Sequence, residues 1–389
     1  MLDRLINKTD PAEMQRRWNA TLSAMEKEDI DCLILGAYDR VCPGATKYLT
    51  DMLVVNYPHY FLFSKDGIAV WGQGDRGKKM YGAYHEFDNV FYNVAIPSLP
   101  SITYSADWYP EDMTATIKRM GYKKVAWCGM YNIPAAIYKY LTENLAEIEF
   151  CNFTDQMDHI RAVKSDYEIG LWQACVTMHD ELWACLPAVI KVGMTERQIS
   201  RKIRSLADEM GSLDYNVMLG SDPKRPVLVH YPYQNKVVEK GDYLQLLIEI
   251  SGLGGVWAEV SRVISLGEPS KTMMKADADQ LKCQDYVAEI SQPGVPASEV
   301  FKKMNEMLTG MGYLPEHRFA VHGQGYEIVD RPIFVAEETM VLQENMFFAS
   351  HPTVANDEVS LYNCDNFVVK PGGSKKLSKT PPGLLVIDR

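Results

Sequence analysis

The chain has no closely spaced cysteine pair. Its eight cysteines, at positions 32, 42, 128, 151, 175, 185, 283 and 364, form no C-x-x-C, which excludes a zinc knuckle, a dithiol redox motif and a small disulfide scaffold. No apolar run approaches the ~18 uninterrupted residues of a membrane-spanning helix. The opening stretch MLDRLINKTDPAEMQRR is charged where a secretory leader needs an apolar core, so cytoplasmic residence is expected. Positive charge is also short. Lys and Arg number 40 against 51 Asp and Glu, a net charge of −11, which repels phosphate backbones and anionic lipid. Neither nucleic acid nor membrane is therefore an expected partner. Compositional bias is absent as well: with 26 Gly and 20 Pro in 389 residues, the chain is neither collagenous nor disordered. At ~150 residues per domain, this length predicts two domains, each able to bury an ordinary core.

What is present has an order. Residues 1–160 alternate helical and strand patterns, as an α/β unit does. The amphipathic stretch EMQRRWNATLSAMEKEDI precedes the apolar run CLILGA, and YFLFS and GIAVWG flank a turn at Lys65, Asp66 and Gly67. The alternation breaks between Asp158 and Lys164, where Ser165 and Glu168 have the spacing of a capping box that opens a long helix. A second domain is thus predicted over 161–389. Thr195 and Gln198 cap the next helix, whose inward face should carry Ile199, Ile203 and Leu206.

The second domain resembles itself. Gly193-Met194, a helix and Met210-Gly211 match Gly294-Val295, a helix and Met311-Gly312 at an offset of 101, and GDYLQLLIEI matches QENMFFASHP at 102. These offsets predict a pseudo-two-fold domain in which Glu249 corresponds to His351. Strand alternation puts Leu247 and Glu249 on one face, and a buried carboxylate is costly unless paired or used. The hairpin through GLGG returns Glu259 beside Glu249, where the two can share a cation, share a proton, or divide acid and nucleophile roles, unless Glu259 faces solvent. His230 and His322 occupy repeat-related loops that feed these hairpins.

These residues resemble the pita-bread superfamily of creatinase, prolidase, aminopeptidase P and methionine aminopeptidase. RAVKSDYEI is similar to the family's entry to its second domain. His230, eleven residues before Gly241-Asp242, matches the substrate-binding histidine; VHGQG matches Gly-His-Gly-Ile-Gly, and ENMFFASHP matches Gly-Met-x-x-x-x-Glu-Pro. The resemblance implies an α+β protein: a creatinase-type α/β N-terminal domain followed by a pita-bread C-terminal domain, in a homodimer. Peptidases of the family hold two metals with two Asp, one His and two Glu. Here the first Asp position is Glu249 and the second is Glu259 or Val260. The His is His322, and the two Glu positions are His351 and Cys364; the later peptidase histidine is Val329.

Two hard cations need several carboxylate oxygens, so this set argues against a dinuclear centre. It leaves room for one softer Zn or Fe site, since His and Cys suit those metals. Similar losses occur in creatinase and ectoine hydrolase, which are metal-free. The leading expectation is therefore a metal-independent hydrolase without cofactors that cleaves a C–N bond of a small zwitterionic substrate. In that reading His230 shuttles the proton and Glu249 is nucleophile or base. His322 and His351 orient the reacting group, Cys364 lies beside them, and Glu259 or Asp330 binds a cationic end. Trp257 and Tyr326 form a cation–π wall unless they are core. The competing expectations are an Xaa-Pro metallopeptidase with an altered metal site, a lyase, and a non-catalytic binding protein.

Overall fold

The computed structural model describes residues 9–37, 44–52, 57–74, 89–99 and 101–387. Cys42 and the first eight residues of the charged opening lie outside them. The chain divides into two compact units, Met1–Arg161 and Ala162–Arg389.

The first unit carries helices α1 (Pro11–Glu26), α2 (Gly44–Thr50), α3 (Trp108–Met120) and α4 (Ala135–Asn144), and all but the last residue of α5 (Thr154–Ala162). Its strands are β1 (Cys32–Ala37), β2 (His59–Ser64), β3 (Gly67–Gly72), β4 (Val90–Ala95), β5 (Lys124–Cys128) and β6 (Glu149–Asn152). They form one mixed sheet in the order β4-β3-β2-β1-β5-β6. The run CLILGA is β1, buried along its whole length, as a strand covered on both faces must be. Asp10 caps α1 by accepting from Ala12 N–H, with Pro11 in the first turn.

The second unit opens with α6 (Asp166–Val189), where Ser165 and Glu168 make both hydrogen bonds of the capping box. Thr195 and Gln198 do the same for α7 (Glu196–Glu209). Ile199 and Ile203 are buried there, but Ala207 rather than Leu206 completes the inward face. Strands β7 (Asp214–Asp222), β8 (Tyr243–Ser251) and β9 (Trp257–Leu266) follow, then α8 (Lys271–Ile290) and α9 (Ala297–Gly310). The rest is β10 (Val321–Gly323), β11 (Asp330–Ile333), β12 (Phe347–Ser350), β13 (Val354–Ala355), β14 (Ser360–Leu361), β15 (Asp365–Val368), β16 (Lys375–Lys376) and β17 (Leu385–Ile387). The sheets run β17-β9-β8-β7 and β11-β10-β12-β15-β16.

The sequence offset has local structural counterparts. Gly193 and Gly294, with φ of 87° and 91°, take the same left-handed conformation before α7 and α9, a region that disfavours residues with a Cβ. Val300 and Met304 are buried on α9 where Ile199 and Ile203 are buried on α7. Among the described residues, no helix is long and apolar enough to cross a membrane.

Candidate metal centre

Three adjacent strands contribute one row of polar side chains. In antiparallel register, Asn216 of β7 pairs with Glu249 of β8, and Glu249 pairs with Glu259 of β9. Val260 pairs with Ile248 and points to the opposite face. The register therefore selects Glu259, not Val260, for the site. The reversal between the strands is tight, with Gly254 and Gly255 at φ of 74° and 80°.

Both glutamates are buried, at 4% and 2% exposure. Desolvation pushes the Glu249 carboxyl from 4.5 up to about 7, against the opposing Asn216 Nδ2 donor 2.5 Å from its Oε2. Burial and then the Glu249 charge push Glu259 well above the usual carboxylate range, although the Cys364 thiol donates to its Oε1 at 2.8 Å. Both shifts favour the protonated carboxyl over the carboxylate.

The second sheet brings the candidate nitrogen donors. His322 lies in β10, His351 directly follows β12, and Cys364 directly precedes β15. A bridge between Ser261 and Cys364 joins this region to β9. Asn366 Nδ2 donates to the Glu259 carbonyl at 2.7 Å, and buried Arg262 pairs with Asp365 at 2.8 Å. The Arg262 guanidinium also donates to the Cys364 carbonyl at 2.8 Å, fixing the thiol's backbone.

His322 Nε2 stands 3.8 Å from Glu259 Oε2, and His351 Nε2 stands 3.4 Å from Glu259 Oε1. One ligand atom from each of Glu259, His322 and His351 lies within 4.8 Å of the others. Bonds of ~2.0–2.1 Å in a tetrahedral zinc site put neighbouring ligand atoms about 3.3 Å apart, so little movement is needed to close the triad on an ion. The protonation states also fit. Burial lowers His322 from 6.5 to about 4 and His351 well below 6.5, which leaves both imidazoles neutral with a lone pair to give. The His322 Nδ1–Gly323 carbonyl contact, 2.9 Å, assigns the proton to Nδ1 and turns the Nε2 lone pair toward Glu259. The donor set suits one softer divalent ion; it has too few carboxylates to neutralise two hard ones.

Among the other expected site residues, Asp330 stands close to the triad, pairing with Gly323 across β10 and β11 and acting by its charge on His322. His230 is exposed at the start of a short 3-10 turn. Asp330 lies 3.9 Å from Lys164 Nζ, so a cationic partner from the chain itself already faces its carboxylate. Trp257 and Tyr326 are both 2% exposed. The Trp257 carbonyl accepts from Trp172 Nε1, and the cation over this aromatic group is Lys164, 5.0 Å from the Trp172 ring centre. Sequence reasoning missed Asn216, Gln245 and Tyr362. Gln245 clamps Tyr362 by accepting from its N–H and donating to its carbonyl, and the Tyr362 ring packs on His351 at 5.3 Å. No local spacing announces these contacts, although two-residue alternation from Glu249 puts Gln245 on the same strand face.

Comparison with known proteins gives the same outline. Over 259 residues the chain is 23% identical to an Xaa-Pro dipeptidase of Pyrococcus horikoshii, covering 65% of this chain and 73% of that one. Its fold is similar to the crystal structure of an X-Pro aminopeptidase from Thermotoga maritima, with TM-score 0.79, 17% identity, and 95% of this chain and 99% of that one covered. The prolidase of Pyrococcus horikoshii gives TM-score 0.73 at 19% identity, with 94% and 99% covered. The pita-bread resemblance stands at the level of the superfamily; these relatives are Xaa-Pro peptidases, and they show no special closeness to creatinase or ectoine hydrolase.

The expectation of a metal-independent, creatinase-type C–N hydrolase is thereby overturned. It rested on the loss of the dinuclear ligand set and on the similar losses in metal-free relatives, with one softer Zn or Fe site as the lesser alternative, whereas Glu259, His322 and His351 lie close enough together to hold one ion. The sequence profile of metallopeptidase family M24 matches residues 171–371, more than half of the chain, and the protein belongs to that family.

Proposed function

We propose that the protein is an Xaa-Pro-type peptidase with an altered metal site, in which one zinc-like ion is held by Glu259, His322 and His351. The observation that carries this reading is the convergence of two neutral imidazole nitrogens on one buried carboxylate. Unpaired, such a carboxylate is expensive to bury. An ion bound there supplies Lewis-acid polarisation of a carbonyl and a water acidic enough to ionise near neutral pH.

The chain's own groups do the rest. Glu259 and the two histidines bind, and the His322 contact with Gly323 orients its ring. Glu249, held by Asn216 and raised to about 7, is the carboxyl suited to take and return a proton near neutral pH. Cys364, against Glu259, is available as a further soft ligand. The proposed substrate is an Xaa-Pro dipeptide, by similarity to the relatives named above.

Elemental analysis of the purified full chain, with alanyl-proline hydrolysis measured before and after chelation, tests this reading. One zinc-like ion per chain and chelator-sensitive turnover are expected. Two ions per chain overturn the single-ion centre, and turnover that survives complete metal removal overturns the metallopeptidase reading.

A further inference from the structure

We propose that Tyr362 is a catalytic residue of this centre, its hydroxyl donating a hydrogen bond to the substrate carbonyl oxygen as that oxygen gains negative charge. The inference rests on the peptide-hydrolase reading above and deepens it.

Several independent placements point to this role. The Tyr362 ring lies against the His351 ring at 5.3 Å and 42°. Its backbone is held on both sides by the Gln245 amide, at 3.2 Å to the N–H and 2.8 Å to the carbonyl. Gln245 also donates to Ser261 Oγ at 2.8 Å, and Ser261 shares a strand face with Glu259. The ring is thus positioned by the same sheet that carries the carboxylates. Among the described residues the phenolic hydroxyl makes no hydrogen bond, while Glu259, Cys364, Glu249 and Arg318 all lie within electrostatic reach of it.

Tyr362 also lines a cavity of about 400 Å³, together with Leu228, Leu314, Leu361, Gln245 and Arg318. That volume is in the range that takes a small ligand. The Arg318 charge is already met by Glu316 at 3.2 Å, and both residues line the cavity, so it suits an uncharged substrate portion rather than an anion. Tyr362 is the residue shared by this cavity and the His351 contact, so in the proposed role the substrate's side group sits in the cavity and its scissile carbonyl beside His351. A neutral phenol fixed at that point is a preorganised donor, worth most where charge develops in the transition state.

The test is Tyr362→Phe in the full chain, which keeps the ring on His351 and removes only the hydroxyl. Three quantities are read on zinc-loaded wild type and variant: zinc content, kcat and KM for alanyl-proline, and calorimetric affinity for a phosphinate isostere of that dipeptide. The expected result is unchanged zinc, kcat lower by about 10²-fold with little change in KM, and a comparable loss of phosphinate affinity. A variant matching the wild type in kcat and in phosphinate affinity overturns the role of Tyr362 and leaves the peptidase reading standing. A wild type that holds zinc but neither turns over nor prefers the phosphinate to the dipeptide overturns both. Loss of zinc from Tyr362→Phe assigns the hydroxyl to holding the site together and overturns its role toward substrate.

Discussion

In metal-free protein, Glu249→Gln should gain stability relative to wild type as pH rises. Gln has the length of Glu and keeps an oxygen toward Asn216 Nδ2, while removing the titration of this group and the charge it places on Glu259. Burial raises Glu249 from 4.5 to about 7, so the folded state holds this proton more tightly than the unfolded chain. That contribution is complete below pH 4.5 and is lost as pH climbs through about 7. At 1.36 kcal/mol per pKa unit, the loss is ~3 kcal/mol. His322 runs the other way: lowered from 6.5 to about 4, it contributes stability above 6.5 that disappears as pH falls toward 4. The two slopes oppose each other in the wild-type profile, and the difference between wild type and variant cancels the His322 part.

For a unit the size of Ala162–Arg389, each kcal/mol moves Tm by ~2–4 °C, so the Tm difference should change by about 6–12 °C between about pH 4.5 and pH 8. Differential scanning calorimetry in chelator reads this directly. A Tm difference that is the same at both pH values would refute the claim that burial holds a proton on this carboxyl.

His351→Ala should weaken zinc binding by ~10²–10³-fold, taking the ~10–16 kcal/mol of a four-ligand site as shared among its ligands. His230→Ala, at an exposed position, should leave that affinity unchanged. Competition with a fluorescent chelator measures both, and equal losses would mean that the triad has been misassigned. Arg262→Ala leaves Asp365, fully buried and still beside Lys376 and Ser378, without its guanidinium partner. Breaking a buried pair in this way costs about 3–5 kcal/mol. A melting temperature within experimental error of wild type would show that this ion pair does not hold the Cys364 segment in place.

Local signals carried far in the sequence. The Ser165/Glu168 and Thr195/Gln198 capping boxes form as spaced, because a cap is complete within one helical turn. The buried run CLILGA and the 101-residue offset between helices were legible for a similar reason: burial and turn geometry recur at fixed spacing. Composition and motifs reached the superfamily, and alternation put Glu249 on the correct strand face. Tertiary structure decided what depended on partners distant in sequence. Cross-strand register chose Glu259 over Val260, and Lys164 met Asp330. His322, His351 and Cys364 gathered around Glu259 from strand ends 63 to 105 residues away. Whether an exchanged ligand set still binds metal depends on distances, lone-pair directions and burial. Those quantities belong to the packed sheets rather than to any spacing along the chain, which is why the sequence pointed first to a metal-free site and the structure to a candidate metal site.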